Sequence, residues 1–427
     1  MNGWQEVALQ DALECLIDYR GKSPKKSEVG IPVISAKVVK SGRILDGIEQ
    51  TIAPEYYSEW MRRGLPIAGD VIMTTEGPLG EVAQLDHETV KYALGQRIVT
   101  MRGRPGFLDN GFLKYLLMSA EVQERLHSRA TGSTVAGISQ ASLRTMTVPI
   151  APYSEQREIA SILGALDDKI ELNRRMAATL EEMARALYRS WFVDFDPVKA
   201  KAEGLAPAFM DEATAALFPD RFGDDGLPEG WRRGRLSDVA INPRTGVKPE
   251  QIDPSTPYIG LEHMPRRSIR LGDWGTAEDV GSQKSAMRRG DFLFGKLRPY
   301  FHKVGISPVN GICSTDIIVV RPKAPEWASF VLSLISSDDF VEHTNAGSSG
   351  TRMPRTSWGE MGRYEVVIPP VPVAAAFEAA LNSMRDRIVA GVHEARNLAE
   401  LRDALLPKLM SGEIRVGTIE NQIEAVA

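Results

Sequence analysis

The sequence predicts an α+β chain in which two pseudo-symmetric α/β halves are separated by two long helices that pair as a coiled coil. Three observations predict it. Between Ile159 and Trp191, apolar or small residues recur at Ile159, Leu163, Leu166, Ile170, Ala177, Leu180, Ala184, Leu187 and Trp191. These steps of three and four make one helical stripe repeating every seven residues. Phe377, Leu381, Met384, Ile388, Ala395, Leu398, Leu405 and Leu409 take the same steps, each 218 residues after its counterpart, as 377 is after 159. The third observation is that short motifs outside the helices recur in the same order. A stripe on a 33-residue rod of roughly 50 Å cannot be buried by the rod alone, so each helix needs a partner.

The elements follow in order. Pro149 and Pro152 precede the first helix and Ser154 can cap it. Asn173 interrupts its stripe as a polar register contact, and Gly391 occupies the matching place in the second helix, a weak point of about 1 kcal/mol. Residues 1–150 read as mixed α and β. Gly3-Trp4 opens a short amphipathic segment, Ile31–Val39 is β-rich, and Pro54–Met61 suits a short helix. Gly69-Asp70 turns into a strand, Val71–Thr75, followed by a Gly77–Gly80 turn, a strand at Glu81–Leu85 and another at Gln96–Met101. Leu108–Leu126 carries helical spacing, and a polar loop at residues 130–134 leads to a strand at Thr145–Ile150.

The second half, residues 230–370, repeats this order. Gly230-Trp231 matches Gly3-Trp4, Gly290-Asp291 matches Gly69-Asp70, Asp316–Arg321 matches the Gln96 strand, Trp327–Phe340 matches Leu108–Leu126, and the loop at 345–351 matches that at 130–134. Offsets between 215 and 227 are what loop insertions in diverged repeats produce. The domain boundaries expected are 1–150, a central helix at 151–198, a linker at 199–229 with at most one short helix, Met210–Leu217, the second domain at 230–370, a C-terminal helix at 371–415 and a tail at 416–427.

The net charge of −5 over 427 residues argues at first against nucleic acid. Residues 1–150 nevertheless hold 17 basic and 17 acidic residues and 230–370 hold 19 and 15, so the acidic excess lies in the helices and linker. With two cysteines, Cys15 and Cys313, no disulfide framework is expected, and a cytoplasmic location is. The opening residues lack a signal-peptide pattern, and no apolar run approaches 18 residues, so no membrane span is expected.

Catalytic signatures are lacking. Asn242-Pro243-Arg244 lacks the second proline and aromatic of an amino-methyltransferase motif. Gly290 to Lys296 spells the start of a phosphate loop, but Leu297 stands where Ser or Thr belongs. Six scattered histidines form no metal motif. The residues expected to meet DNA are of three kinds. Lys296, Arg298 and Tyr300 follow a strand, where a base can reach phosphate or fork onto guanine, and Thr74, Thr75 and Glu76 are their first-half equivalents. Ser133, Thr134, Ser139 and Gln140, with Ser348, Ser349, Thr351, Arg352 and Arg355, offer hydroxyls, amides and charges around the polar loops. Arg20, Lys22 and Arg244 lie in basic or turn-rich stretches. Trp191, Phe192 and Phe195, together with Leu405 and Leu409, are candidates for docking another protein, against the plainer reading of core packing.

These features together resemble the specificity subunits of type I restriction–modification systems. The resemblance rests on Glu155-Gln156-Arg157, on 166–173 and 180–187, on Ser190-Trp191-Phe192-Val193-Asp194-Phe195-Asp196-Pro197, on Ala216-Leu217-Phe218-Pro219, and on 402–412. The second helix departs from it, carrying Val373-Ala374-Ala375-Ala376-Phe377 in place of the Glu-Gln-Arg pattern. The resemblance implies two target-recognition domains, each reading half of a bipartite DNA site, and helices that pair antiparallel as a spacer. It implies as partners double-stranded DNA, two modification (methyltransferase) subunits and restriction/translocase subunits. No catalytic residue, metal or cofactor is expected on this chain, with S-adenosylmethionine, Mg and ATP bound by the partners. The alternative is a non-catalytic coiled-coil assembly adaptor binding protein or RNA.

Overall fold

A computed structural model of the chain describes residues 3–19, 23–45, 47–132, 134–348, 350 and 353–415. The chain divides into two units, residues 1–168 with 398–427, and residues 169–397. Two 40-residue helices, Tyr153–Phe192 and Val371–Met410, each contribute to both units.

The first unit is built on a four-stranded sheet ordered Leu13–Asp18, Ile98–Gly103, Val71–Thr75, Leu79–Gln84, antiparallel throughout. A turn at Gly69-Asp70 starts its third strand. Gly69 takes φ 92°, which glycine adopts without steric cost. Asp70 is fully buried because Arg102 grips it with two bonds, Nε at 2.7 Å and Nη2 at 2.8 Å. Beside this sheet lie a three-stranded sheet of Thr51–Ile52, Ile31–Ile34 and Ala93–Leu94, and the pair Gln5–Ala8 with Thr147–Ile150.

The second unit repeats the plan. Ala240–Ile241, Ile317–Pro322, Phe292–Gly295 and Val304–Ile306 form the matching antiparallel sheet. Gly290 has φ 89°, and Arg321 grips the buried Asp291 with two bonds of 2.7 Å. A five-stranded sheet replaces the three-stranded one, ordered Gly246–Val247, Lys284–Met287, Gly311–Cys313, Pro257–Ile259, Gly275–Thr276.

The single helices expected at Leu108–Leu126 and Trp327–Phe340 are each two: Asn110–Met118 and Ala120–Ser128, then Ala328–Ile335 and Asp338–Ala346. Ser119 and Ser337, 218 residues apart, cap the second helix of each pair through their hydroxyls, so the apolar spacing runs on while the backbone restarts. Two short helices lie in or next to the stretch expected as a linker, 199–229. Asp196–Ala202 and Glu212–Ala216 are helical, and Val198, Phe218, Leu227 and Trp231 are buried.

Each unit buries its own share of the helical stripes. In the first, Ile159 and Leu163 join Leu406, Leu409 and Met410 in one core. Asp167 accepts from Lys114 Nζ at 2.5 Å, Tyr115 Oη at 2.7 Å and Arg402 Nη1 at 2.8 Å. In the second, Trp191 stacks against Phe377, with ring centroids 5.5 Å apart, and Asn173 Oδ1 accepts from Arg387 Nη2 at 3.0 Å. Within each unit partner numbers fall as helix numbers rise, which is antiparallel pairing.

Two expectations about stability follow. A Cβ on Gly391 would lie 3.7 Å from Asn173 Cβ, an ordinary contact, so Gly391→Ala should raise unfolding stability by about 1 kcal/mol in denaturant titration. Burial works against the Asp167 charge, but Lys114 and then Arg402 and Tyr115 outweigh it and hold the carboxyl below its usual range. Its contribution is therefore present above the unfolded value of about 4 and lost as pH falls through the folded one. Asp167→Asn leaves two buried cations short of a partner and should cost about 3–5 kcal/mol at pH 7. The variant's acid limb, followed by denaturant titration at stepped pH, should be flatter.

Candidate nucleic-acid interface

The ends of the two equivalent strands are built alike, although the residues differ. In the first unit Thr75 N–H donates to Arg97 O at 2.8 Å, Ile138 N–H donates to Thr75 O at 3.0 Å, and Glu76 bridges Gly137. In the second, Lys296 N–H donates to Asp316 O at 2.9 Å, Thr356 N–H donates to Lys296 O at 3.0 Å, and Leu297 bridges Arg355. Both pinnings place a polar loop beside a strand end, joining two groups of residues that lie about 60 positions apart in sequence.

In the first unit much of what was expected at this edge is used internally. Thr74 and Thr75 are buried, and Thr74 Oγ1 accepts from Glu81 N–H at 2.9 Å. Neither reaches solvent, so their assignment to a DNA-facing surface is corrected: a central strand turns both side chains into protein. Glu76 pairs with Arg97 at 2.8 Å, which occupies the carboxylate expected to accept from a base. Thr134 and Ser139 are exposed, and Ser139 caps the helix Gln140–Arg144 by accepting from Ser142 N–H at 3.1 Å. Arg20, Lys22, Ser133, Ser349, Thr351 and Arg352 lie outside the described residues.

The second unit carries the denser set. Asn242, Arg244, Gln283, Lys284, Lys296 and Thr315 line a cleft of about 230 Å³ between the two larger sheets. Arg244 is exposed and has no ion-pair partner among the described residues. Asp316 lies 4.0 Å from Lys296 Nζ and 3.3 Å from Arg355 Nε, steadying both cations without neutralising the edge. Arg298 begins a short turn, Pro299–Phe301, with φ 52°, and His302 ends it with φ 50°. His302 is buried, its Nε2 2.9 Å from Ser336 O, and burial lowers its pKa. Tyr300 is half exposed at the turn's tip. Ser348 bonds back to Asn345 O at 2.6 Å.

Gln283 and Lys284 are the residues that reading the sequence overlooked. Their spacing from Lys296 means nothing along the chain; only the pairing of Lys284–Met287 with Gly311–Cys313 carries them to the cleft.

The docking candidates mostly resolve into core. Phe192 packs between Phe377 at 4.8 Å and Phe330 at 5.0 Å, and Trp191 meets Phe218 at 5.0 Å. Trp191, Phe192 and Leu409 are buried, so their assignment to a partner surface is corrected. Phe195, packed on Trp231 at 5.7 Å, and Leu405 are only partly covered. Among the described residues no group of three His, Cys, Asp or Glu side chains is placed to hold a metal, and no helix is long and apolar enough to cross a membrane.

Such a chain is a tandemly duplicated α+β protein whose halves share one strand-end and loop arrangement. Residues 1–182 match the profile of the type I restriction modification DNA specificity domain. The chain is 24% identical over 388 residues to the type I restriction enzyme MjaIX specificity subunit of Methanocaldococcus jannaschii, covering 86% of this chain and 82% of that one. It is also 24% identical over 411 residues to the HindI specificity subunit of Haemophilus influenzae, covering 81% and 86%. The crystal structure of a type I restriction–modification S subunit from M. genitalium shares the fold, with a TM-score of 0.52 at 17% identity over 95% of this chain and 96% of that one. The first 182 residues thus resemble the type I specificity domain, and the chain is similar along most of its length to specificity subunits of such systems.

Proposed function

We propose that this protein is the DNA sequence-recognition subunit of a type I restriction–modification complex, each α/β domain reading one half of a bipartite site. The observation that carries the reading is the repeated strand end: one backbone frame, Thr75–Ile138 and Lys296–Thr356, presented twice with different side chains. Two frames with different residues suit two half-sites of different sequence. Arg244, Lys284 and Lys296 supply the phosphate attraction that every duplex requires, and base edges supply the discrimination.

The paired helices set the unspecified spacing and, with the half-covered Phe195 and Leu405, dock two methyltransferase subunits. Restriction/translocase subunits complete the assembly. Methyl transfer and ATP-dependent cleavage belong to those partners, which bind S-adenosylmethionine, Mg and ATP. An adaptor for protein or RNA is the weaker reading, because the family match concerns DNA specificity.

Mapping methylated adenines in cells carrying the complete system tests the reading: one bipartite motif is expected, and methylation without a motif overturns it. Arg244→Ala should weaken binding of the assembled complex to all duplexes alike and reduce the slope of log affinity against log salt by about 1. Lengthening both helices by matched insertions should change the number of unspecified bases between the half-sites while the bases within each half stay the same, as read by the same mapping.

A further inference from the structure

Arg298 stands where the first unit has Gly77. Each lies two residues beyond its pinned strand residue, Lys296 or Thr75, each precedes a proline, and each has φ 52°. Glycine adopts that left-handed conformation freely, whereas a residue with a Cβ meets steric resistance there. The frame enforces the conformation: Arg298 N–H donates to Pro354 O at 2.7 Å, and Leu297 bridges Arg355. An arginine at a position shaped for glycine points to a use for its side chain.

That side chain is also left without an acidic partner. Asp316 holds Lys296 and Arg355, whereas Arg298 has no carboxylate partner among the described residues, and its Nε is buried without a hydrogen bond. Its guanidinium carbon lies 5.9 Å from the centre of the Phe301 ring, which Arg266 also covers at 4.3 Å. Tyr300, half exposed, is the next residue but one. Phosphate contact asks only for positive charge, which the cleft already holds; a planar fork set by the backbone suits a target with two acceptors in fixed geometry.

We propose that Arg298 is a specificity-determining residue of the second recognition domain, its guanidinium reading a guanine by paired donation to O6 and N7. The inference rests on the DNA-reading function proposed above. It implies a guanine at one position of one half-site. The first unit, with Gly77 in the same frame, has no equivalent contact from this position.

The test compares the wild type with Arg298→Gly and Arg298→Asn, both suited to the left-handed backbone, by thermal unfolding of the full chain and adenine-methylation mapping with the complete system. Expected are an unchanged or higher melting temperature and a motif that has lost its guanine preference at one position of one half, discrimination there falling on the order of 10- to 100-fold. The other half-site should be unchanged. A wild type that yields no motif overturns the DNA-reading function itself. A wild-type motif that both variants preserve overturns the role of Arg298 alone. Uniformly weaker methylation with the same motif assigns Arg298 to phosphate, and a lower melting temperature in both variants assigns it to structure; either result overturns the proposal.

Discussion

A helix of forty residues with an apolar stripe is unstable alone in water, and this chain carries two of them. Pairing them within one chain removes the stripe from solvent and ties residue 159 to the neighbourhood of 409 and residue 191 to that of 377. The rest of the arrangement depends on that pairing. It draws Leu406, Leu409 and Met410 into the first unit's core.

Inside each half the decisive polar interaction is the buried aspartate held by an arginine fork, Asp70 by Arg102 and Asp291 by Arg321. Each closes the turn that starts the strand whose far end forms the candidate interface. Backbone bonds then set where the strand stops and which loop lies against it. The two interfaces are consequently alike in frame and unlike in side chains.

Much of this frame was legible in the sequence. The stripes with their offset of 218, the paired Gly-Asp turns and the repeated motif order are local patterns, and local patterns survive without knowledge of contacts. The site was legible only in part. Lys296, Arg298 and Arg355 were reachable because they follow a strand or a polar loop, whereas Gln283 and Lys284 arrive through sheet pairing that no spacing announces. Thr74 and Thr75 misled because a strand with both faces covered has no polar side to show. Trp191 and Phe192 misled for the converse reason: aromatics at a helix end serve a core or a partner equally well on paper. The breaks at Ser119 and Ser337 were hidden because helical spacing continues across a serine that restarts the backbone.

The placement of Arg402, Leu406 and Leu409 in the first unit has a consequence for how the polypeptide is made. Synthesis delivers residues 1–168 early, yet Ile159, Leu163 and Asp167 receive their cover only when residues 402–410 have left the ribosome. The first unit is thus completed only after the second has all of its own residues. A premature stop shortly after Asn397 would spare the younger half and leave the older one open, so damage at the carboxyl end would be felt at the amino end.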